Sequence, residues 1–282
     1  MENHFGLLFS VAHRTEDGMV NGIVIHVAFS QETETNDVEN EAFLHLRIAY
    51  LNLTEFVDTN GNGAFNAGTD RVVQSISLQS LTYLQPTYKT ITDDNGMQGW
   101  EVSSMSNPGQ GGLVLGVKAD IFPQFAVVDS TIVPPTATKI TTTIDHFPFG
   151  EQTSRVALQV SATSKSVIEH ETSQTEERIR VRSATAEGFY SVSSTAIVDG
   201  VSHPVARSVQ QVGRHWLINL AYPEGTSIVH DPILGFTSGT TPILTGSLLI
   251  GAALAAIAVF AVLVYAGRRQ LARVFSPKPL PV

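Results

Sequence analysis

The sequence of 282 residues contains no cysteine. This absence excludes disulfide bonds, thiolate metal sites and cysteine nucleophiles. An exported protein of this composition must be held together without disulfides, by a large core. That arrangement is more typical of prokaryotic surface proteins than of the small, disulfide-rich modules that animals secrete.

Basic residues are scarce outside the C-terminal end of the chain. There are 17 lysine and arginine residues against 26 aspartate and glutamate residues, and the net charge is −9. Four of the cations follow Gly267, so the rest of the chain holds 13 basic and 26 acidic residues. An acidic protein of this kind is not expected to bind nucleic acid, because the phosphate backbone recruits clusters of lysine and arginine. The same charge is compatible with divalent cations or basic partners.

Recognisable catalytic motifs are also missing. No H-E-x-x-H zinc motif is present, since Gln174 stands four residues after His170, and there is no G-x-S-x-G nucleophile elbow. We therefore predict neither catalytic nor cofactor-binding residues and favour a structural or interaction protein over an enzyme. The alternative from another class is a membrane-tethered hydrolase or carbohydrate-active enzyme, which would need two carboxylates facing each other across a cleft.

No segment before the C-terminal region shows a sustained helical period. Apolar residues instead alternate with polar ones, which is the pattern of half-buried strands, and turn signals separate the runs. Clear examples are Leu44–Tyr50, Leu113–Ile121, Val156–Val160 and Trp216–Tyr222. The prediction is an all-β, sandwich-like ectodomain, built as one large sandwich or as two in tandem. The apolar run Phe5–Ala12 is too short for a usual signal sequence and is interpreted as a first strand.

The pair Pro134-Pro135 is the best candidate for a domain boundary, because prolines remove two donors from a strand ladder. The sequence thus predicts a β domain over 1–132 and, over 136–235, a second β domain or the second half of one sandwich. Residues Thr87 to Ser104 are predicted to form a hairpin closed by Asn95-Gly96, a pair suited to a type I′ turn.

Charge is absent from Pro232 to Gly267, and Arg268 and Arg269 follow directly. Because about 20 apolar residues span a bilayer, we predict a stalk over 236–244, a transmembrane helix over 245–267 and a basic tail over 268–282. The positive-inside rule places the tail in the cytoplasm and the β region outside a cell membrane. The alternative orientation is a tail-anchored adaptor with its bulk in the cytosol.

The chain's strongest binding motif is the loop DTNGNGAFNAGTD, residues 58–70, which lies between two predicted strands. It resembles the calcium loop of EF-hands and dockerins, in which side chains at positions 1, 3 and 5 and a carbonyl at position 7 bind the ion around a position-6 glycine. The resemblance implies a Ca²⁺ site with the following ligands: Asp58, Asn60, Asn62, Ala64 through its carbonyl, Asn66 and Asp70.

This loop departs from the pattern where the bidentate acid belongs. Position 12 is Thr69, and Asp70 comes one residue late. Two of the early ligands are neutral amides, so we expect weak binding, with a Kd of about 10⁻⁴–10⁻³ M. The flanking strands favour a structural role over a sensor, because calcium sensors act by moving helices. The alternative is an Asn/Gly-rich turn that binds nothing.

Two charged segments are candidates for partner contacts. Arg178, Arg180 and Arg182 alternate with apolar residues, so their guanidinium groups share one strand face, which would suit an acidic protein or a surface glycan. We expect this to be an exposed sheet face balanced by neighbouring carboxylates. The acidic run Glu169-His170-Glu171 before it is predicted to be a solvated loop.

Overall fold

The structure is a computed structural model. It describes the following residues of the chain: 6–14, 20–28, 43–129, 131–164, 167–172, 176–182, 186–213 and 215–238. In these residues the ordered elements are strands and two short 3₁₀ helices, Leu78–Ser80 and Gln110–Gly112. Two large sheets form sandwich-like layers, which confirms the prediction of an all-β, sandwich-like fold.

The strands have these bounds in chain order: β1 (Gly6–Arg14), β2 (Val20–Ala28), β3 (Phe43–Val57), β4 (Arg71–Ser77), β5 (Thr87–Thr92), β6 (Gln98–Met105), β7 (Val114–Ile121), β8 (Ala126–Val128), β9 (Thr131–Val133), β10 (Ala137–Asp145), β11 (Arg155–Thr163), β12 (Ile168–Thr172), β13 (Glu176–Arg182), β14 (Ala186–Ser193), β15 (Thr195–Val198), β16 (Val201–Pro204), β17 (Ala206–Val212), β18 (His215–Pro223), β19 (Ser227–His230) and β20 (Ile233–Ser238). The alternating runs found in the sequence fall within these strands, except that Leu113 lies one residue before β7.

The first sheet has the order β1-β2-β3-β11-β18-β17. Strand β2 runs parallel to β3, and the other neighbours are antiparallel. Strand β3 is 15 residues long, so one edge pairs with β11 while the other edge accommodates β2 and then β4. The loop of residues 58–70 connects β3 to β4 and therefore leaves the sheet at the end of its central strand.

The second sheet is built around β10. One edge of β10 pairs with β7, which continues to β6 and β5, and its other edge pairs with β20 and then β19. Pro232 separates β19 from β20, as expected for a residue that cannot donate to the ladder. Beyond them lie β14, β13 and β12 on one side and β15 and β16 on the other. Strands β8 and β9 form a separate small hairpin.

The hairpin predicted around Asn95-Gly96 is present as β5 and β6. Its turn is wider than a two-residue type I′ turn, so that part of the prediction is wrong. Only Gly96 has a positive φ, of 83°, and the side chain of Asp93 sets the turn. Its Oδ1 accepts hydrogen bonds from the backbone N–H groups of Asn95 and Met97, at 2.9 and 2.6 Å.

Each large sheet contains strands from both sides of Pro134-Pro135. The first sheet combines β1–β4 with β11, β17 and β18, and the second combines β5–β7 with β10 and later strands. One cluster of buried side chains, from Leu46 and Tyr50 to Tyr222 and Leu234, fills the space between the sheets. Strands on either side of the two prolines therefore share a core.

Two polar contacts cross this core between the sheets. The hydroxyl groups of Tyr50 and Tyr190 lie 3.2 Å apart, and both side chains are fully buried. The hydroxyl of Tyr222 lies 3.0 Å from Nδ1 of His230, whose Nε2 lies 3.1 Å from the carbonyl oxygen of Ser193. Buried polar groups are costly unless they are hydrogen-bonded, so these pairs fix how the two sheets face each other.

The membrane-anchoring prediction falls largely outside the described residues. Strand β20 continues to Ser238, three residues into the predicted stalk, and 239–282 are not described. In the part of the chain that is described, no helix is both long and apolar enough to cross a membrane. The helix over 245–267 and the basic tail stay predictions.

Candidate metal-binding loop

The loop of residues 58–70 is closed on itself by the side chain of Asp58. Its Oδ1 accepts a hydrogen bond from the backbone N–H of Gly61 at 2.8 Å, and its Oδ2 accepts one from Gly63 at 2.6 Å. Gly63, at the sixth position, has a φ of 76°, which glycine adopts without strain. A Cβ there would also lie 3.3 Å from Cβ of Ala206, so the close packing of the loop favours glycine as well.

The two early asparagine residues form successive side-chain turns. Oδ1 of Asn60 accepts from the N–H of Asn62 at 3.0 Å, and Oδ1 of Asn62 accepts from the N–H of Ala64 at 2.8 Å. Asparagine favours this geometry because the oxygen of its short side chain can accept a hydrogen bond from the backbone N–H two residues later, as a backbone carbonyl does in an ordinary turn. The side-chain oxygens of positions 1, 3 and 5 are thereby directed into the loop.

Three oxygen atoms converge on the amide nitrogen of Asn66. Nδ2 donates to the carbonyl oxygen of Ala64 at 2.9 Å and lies 3.3 Å from Oδ1 of Asn62 and 3.4 Å from Oδ2 of Asp70. These are positions 5 and 7 and the late acid of the predicted ligand set. The structure brings four of the six predicted residues around one point, while Asp58 and Asn60 bind backbone N–H groups of the loop.

Asp70 is the loop's buried acid, and Thr69 at position 12 is exposed. Oδ1 of Asp70 accepts from the backbone N–H of Thr59 at 3.0 Å, and Oδ2 accepts from that of Asn66 at 2.7 Å. Burial raises the pKa of Asp70, but these hydrogen bonds outweigh it and the pKa lies below its ordinary value. The carboxylate is therefore ionised at neutral pH, and its Oδ2 is one of the three oxygens around Nδ2 of Asn66.

The loop also covers part of the outer face of the first sheet. Phe65 packs on Phe56, with ring centroids 5.1 Å apart, and the two rings form a small buried cluster with Ala157 and Ala221. The hydroxyl of Ser208 on β17 donates to the carbonyl oxygen of Phe65. A chain of side-chain amides continues from Ser208 across β18, β11 and β3, through Asn219, Gln159 and Asn52.

One cation of the protein itself lies beside the loop. A Cβ at Gly63 would be 3.9 Å from the guanidinium carbon of Arg155, and the charge of Asp58 acts on that group. Burial lowers the pKa of Arg155, which the charge of Asp58 opposes. Since Arg155 offsets part of the loop's negative charge, its proximity agrees with the expectation of weak cation binding.

The loop differs from a metal site built of charged ligands. Among the described residues, no group of three or more His, Asp and Glu side chains is arranged to hold a metal ion. The loop supplies two carboxylates, and its remaining oxygens come from amides and a carbonyl. Such neutral oxygens are ligands that calcium accepts.

The charged segments found in the sequence pair with each other. Glu169-His170-Glu171 lies in strand β12 and not in a loop, because it forms a ladder with the arginine strand β13. Nε of Arg180 lies 2.7 Å from Oε2 of Glu169, and Nε of Arg182 lies 2.5 Å from Oε2 of Glu187. The arginine face is thus balanced by neighbouring carboxylates, as expected.

Sequence reasoning missed one buried carboxylate that anchors a loop. Glu55 on β3 is fully buried and accepts hydrogen bonds from the N–H groups of Gly150 and Glu151 and from the hydroxyl of Ser154, at 2.6–3.0 Å. Burial raises the pKa of Glu55, but these hydrogen bonds lower it by more, so the pKa lies below its ordinary value. The only signal in the sequence was an acid within a strand, and its partners lie about 95 residues away.

No family model matches the chain, and a search of curated proteins finds no match.

Proposed function

We propose that this protein is a single-pass, membrane-anchored cell-surface protein with a structural or interaction role, and that residues 58–70 hold a weak structural calcium ion. The β-sandwich stands outside the cell, and the basic tail over 268–282 is cytoplasmic. The uncharged segment that ends at Arg268 supports the anchor, and the position of the four cations after it supports the orientation.

The observation that carries the calcium proposal is the convergence of oxygens on Nδ2 of Asn66. Oδ1 of Asn62, the carbonyl oxygen of Ala64 and Oδ2 of Asp70 surround this nitrogen at 2.9–3.4 Å. Rotation of the Asn66 amide would turn its own oxygen toward the same point. A divalent cation there would meet several hard oxygens from one short loop, as calcium requires.

Calcium at this place would act as a clip. It would hold together both ends of the loop, since Asp70 lies at its end and Asn62 near its beginning. The loop in turn presses Phe65 onto the outer face of the first sheet. A bound ion would therefore stabilise the covering of this face, without a helix movement of the kind that sensors use.

Thermal unfolding with and without calcium tests the site. For a Kd of about 10⁻⁴–10⁻³ M, roughly 10 mM calcium stabilises the folded state by about 1.4–2.7 kcal/mol. For a protein of this size that raises the Tm by roughly 3–10 °C relative to chelator. Magnesium should give a smaller shift, because it demands octahedral geometry and gives up water reluctantly.

Two variants make this experiment specific. Asp58→Ala should lose the calcium shift, because the loop loses the side chain that closes it. Glu224→Ala removes the same charge from an exposed turn between β18 and β19 and should keep the full shift. An absent shift in the unaltered protein, or an equal shift in Asp58→Ala, would remove the site.

Protease treatment of intact cells tests the orientation. The surface protein should lose its β region under external protease, whereas a tail-anchored cytosolic adaptor would keep it until the cells are lysed.

A further inference from the structure

A second charged site lies on the outer face of the second sheet, at Lys139 on β10. Its neighbour Ile140 points into the core, so Lys139 points to the opposite face, yet its side chain is fully buried. Nζ lies 2.5 Å from Oδ2 of Asp129 and 3.0 Å from Oδ2 of Asp231. A lysine side chain is rarely buried completely, and here it contacts two carboxylates.

The two carboxylates that contact Lys139 differ in their exposure to water. Asp129 is 71% exposed, in the connection between β8 and β9, whereas the side chain of Asp231 is 34% exposed. Oδ1 of Asp231 is buried and has no hydrogen-bond partner among the described residues. Unsatisfied buried acceptors are uncommon and call for an explanation.

A third carboxylate flanks the site on β7. Asp120 is the register partner of Lys139, is almost completely buried, and has one oxygen without a hydrogen-bond partner within the described part of the chain. Burial raises the pKa of Asp120, against the lowering effect of Lys118 at 3.1 Å. The site therefore disfavours an accumulation of separate charges, as expected in a region of low dielectric constant.

We propose that Lys139 forms an intramolecular isopeptide bond with Asp231. Nζ is held in contact with the Asp231 carboxylate in the folded chain, which replaces a bimolecular encounter with a fixed geometry of high effective concentration. Lysine amines are established protein nucleophiles once they are deprotonated. The reaction is a condensation, and it needs neither an oxidant nor a further reactant.

Nζ of Lys139 transfers a proton to the Asp231 carboxylate that it contacts, which gives a neutral amine and a neutral acid. The amine attacks Cγ of Asp231, and a second proton passes from Nζ through Asp129 to the departing hydroxyl group. One water molecule leaves, the nitrogen keeps one hydrogen, and one positive and one negative charge disappear together.

The first proton transfer is the demanding step. Burial lowers the pKa of Lys139, but Asp129 and Asp231 raise it more, so the ammonium form predominates before reaction. The bond should therefore form slowly after folding and then persist, because its product is neutral in a buried place. Asp129, being hydrated, is the poorer electrophile and the better proton carrier.

The product would link central strand β10 to the junction of β19 and β20. Asp231 and Pro232 separate the two strands that pair with this edge of β10, so the bond would fasten the second sheet where its ladder is interrupted. A chain without cysteine has no disulfide for this purpose. The proposal is independent of the calcium site.

Mass spectrometry of the purified full chain tests the bond. The unaltered protein should be lighter than Lys139→Arg, after correction for the substitution, by the mass of one water molecule. Tryptic digestion of the denatured protein should give a branched peptide that contains both Lys139 and Asp231, without cleavage at Lys139.

Asp231→Asn gives the decisive comparison, because an amide at the same position would release ammonia instead of water. The mass deficit should change accordingly, and Asp231→Ala should show no deficit. The digest of the unaltered protein does not depend on whether any variant folds. Complete cleavage at Lys139 with no branched peptide, or a branch to Asp129, would overturn the proposal.

Discussion

The two outer faces of the sandwich are covered in different ways. On the first sheet, residues 58–70 form a loop in which oxygens converge on the neutral amide of Asn66. On the second sheet, the β8–β9 hairpin lies over Lys139, whose ammonium group already contacts Asp129 and Asp231. The second sheet thus has the ammonium group of Lys139 between its carboxylates, whereas in the loop on the first sheet only the uncharged amide of Asn66 donates to the converging oxygens.

This difference indicates where an added cation can act. At Lys139 an ammonium group lies between the two carboxylates until the proposed bond to Asp231 forms, and the bond then removes one of these carboxylates, so a metal ion has no free pair of acids to bind. In the loop, a cation would replace one amide donor and gain the charge of Asp70. The comparison therefore predicts that calcium stabilises the first face and leaves the second unchanged.

The largest expected change in the free energy of unfolding comes from removing the phenylalanine side chain that lies against the outer face of the first sheet. Phe65→Ala should destabilise the protein by about 3–4 kcal/mol, because Phe65 is buried against Phe56, Ala157 and Ala221. Phe125→Ala, just before the hairpin of the second face, should cost less than about 0.5 kcal/mol, because Phe125 is 70% exposed. Urea unfolding measures both, and equal losses would show that the loop does not cover its face.

As the pH falls, the contact between the two sheets at His230 should weaken before the loop of residues 58–70 or the β8–β9 hairpin does. Burial lowers the pKa of His230 to about 4, whereas its ordinary value is 6.5. Between these values the unfolded chain binds a proton that the folded chain does not, so stability is full above pH 6.5 and falls toward pH 4. The loss amounts to roughly 3 kcal/mol.

The carboxylates of the loop and of the β8–β9 side, Asp70 and Asp93, lose their protons at lower pH than His230 does. The pKa values of Asp70 and Asp93 lie below their ordinary 3.8, so their contributions are lost only as pH falls below that value. Unfolding titrations from pH 7 to 3 should thus show a first decline that His230→Gln removes. A first decline that survives this substitution would contradict the assignment.

A matched pair of acids separates calcium binding from ordinary anchoring. Asp70 closes the loop of the first face, and Asp93 accepts a hydrogen bond from the N–H of Val127 in the hairpin of the second face, at 2.8 Å. Both substitutions to asparagine should lower the Tm in chelator. Only Asp70→Asn should also lose the calcium stabilisation of about 1.4–2.7 kcal/mol. A lost calcium response in Asp93→Asn would place the ion elsewhere.

The smallest effect concerns a single hydroxyl on each sheet. Ser208→Ala removes the bond to the carbonyl of Phe65 and an acceptor for Asn219, and should cost about 1 kcal/mol. Ser103→Ala on the second sheet removes a bond between exposed hydroxyls and should cost less than about 0.5 kcal/mol. Denaturant midpoints with unchanged slopes would measure this difference.

The strands were predictable because their signal is local. Alternation in Val156–Val160 and Trp216–Tyr222 reports which side chains face the core, and the structure places both runs in central strands. The turn at Asn95-Gly96 was not predictable in detail, since the side chain of Asp93 competes with the two-residue geometry. Pairing across long separations, as between β3 and β11, leaves no mark in either strand alone.

The loop of residues 58–70 could also be predicted because its signal is local, and the contacts that it makes with distant strands could not. The spacing of Asp58, Asn60, Asn62 and Gly63 is a local pattern, so the turn could be recognised from sequence. The contacts of Phe65 with Ala221 and of Ser208 with its carbonyl depend on distant strands. Lys139 was missed because a lysine on the outward phase of a strand normally lies in water.

The most direct measurement is a crystal structure of the protein grown in roughly 10 mM calcium, a concentration above the Kd of about 10⁻⁴–10⁻³ M expected for this loop. We expect an ion bound by Oδ1 of Asn62, the carbonyl oxygen of Ala64 and a carboxylate oxygen of Asp70, with the Asn66 amide turned to present its oxygen. An anomalous peak at that point would identify calcium. If Nδ2 of Asn66 keeps its contacts with these oxygens under the same conditions, the loop is a turn that binds no calcium.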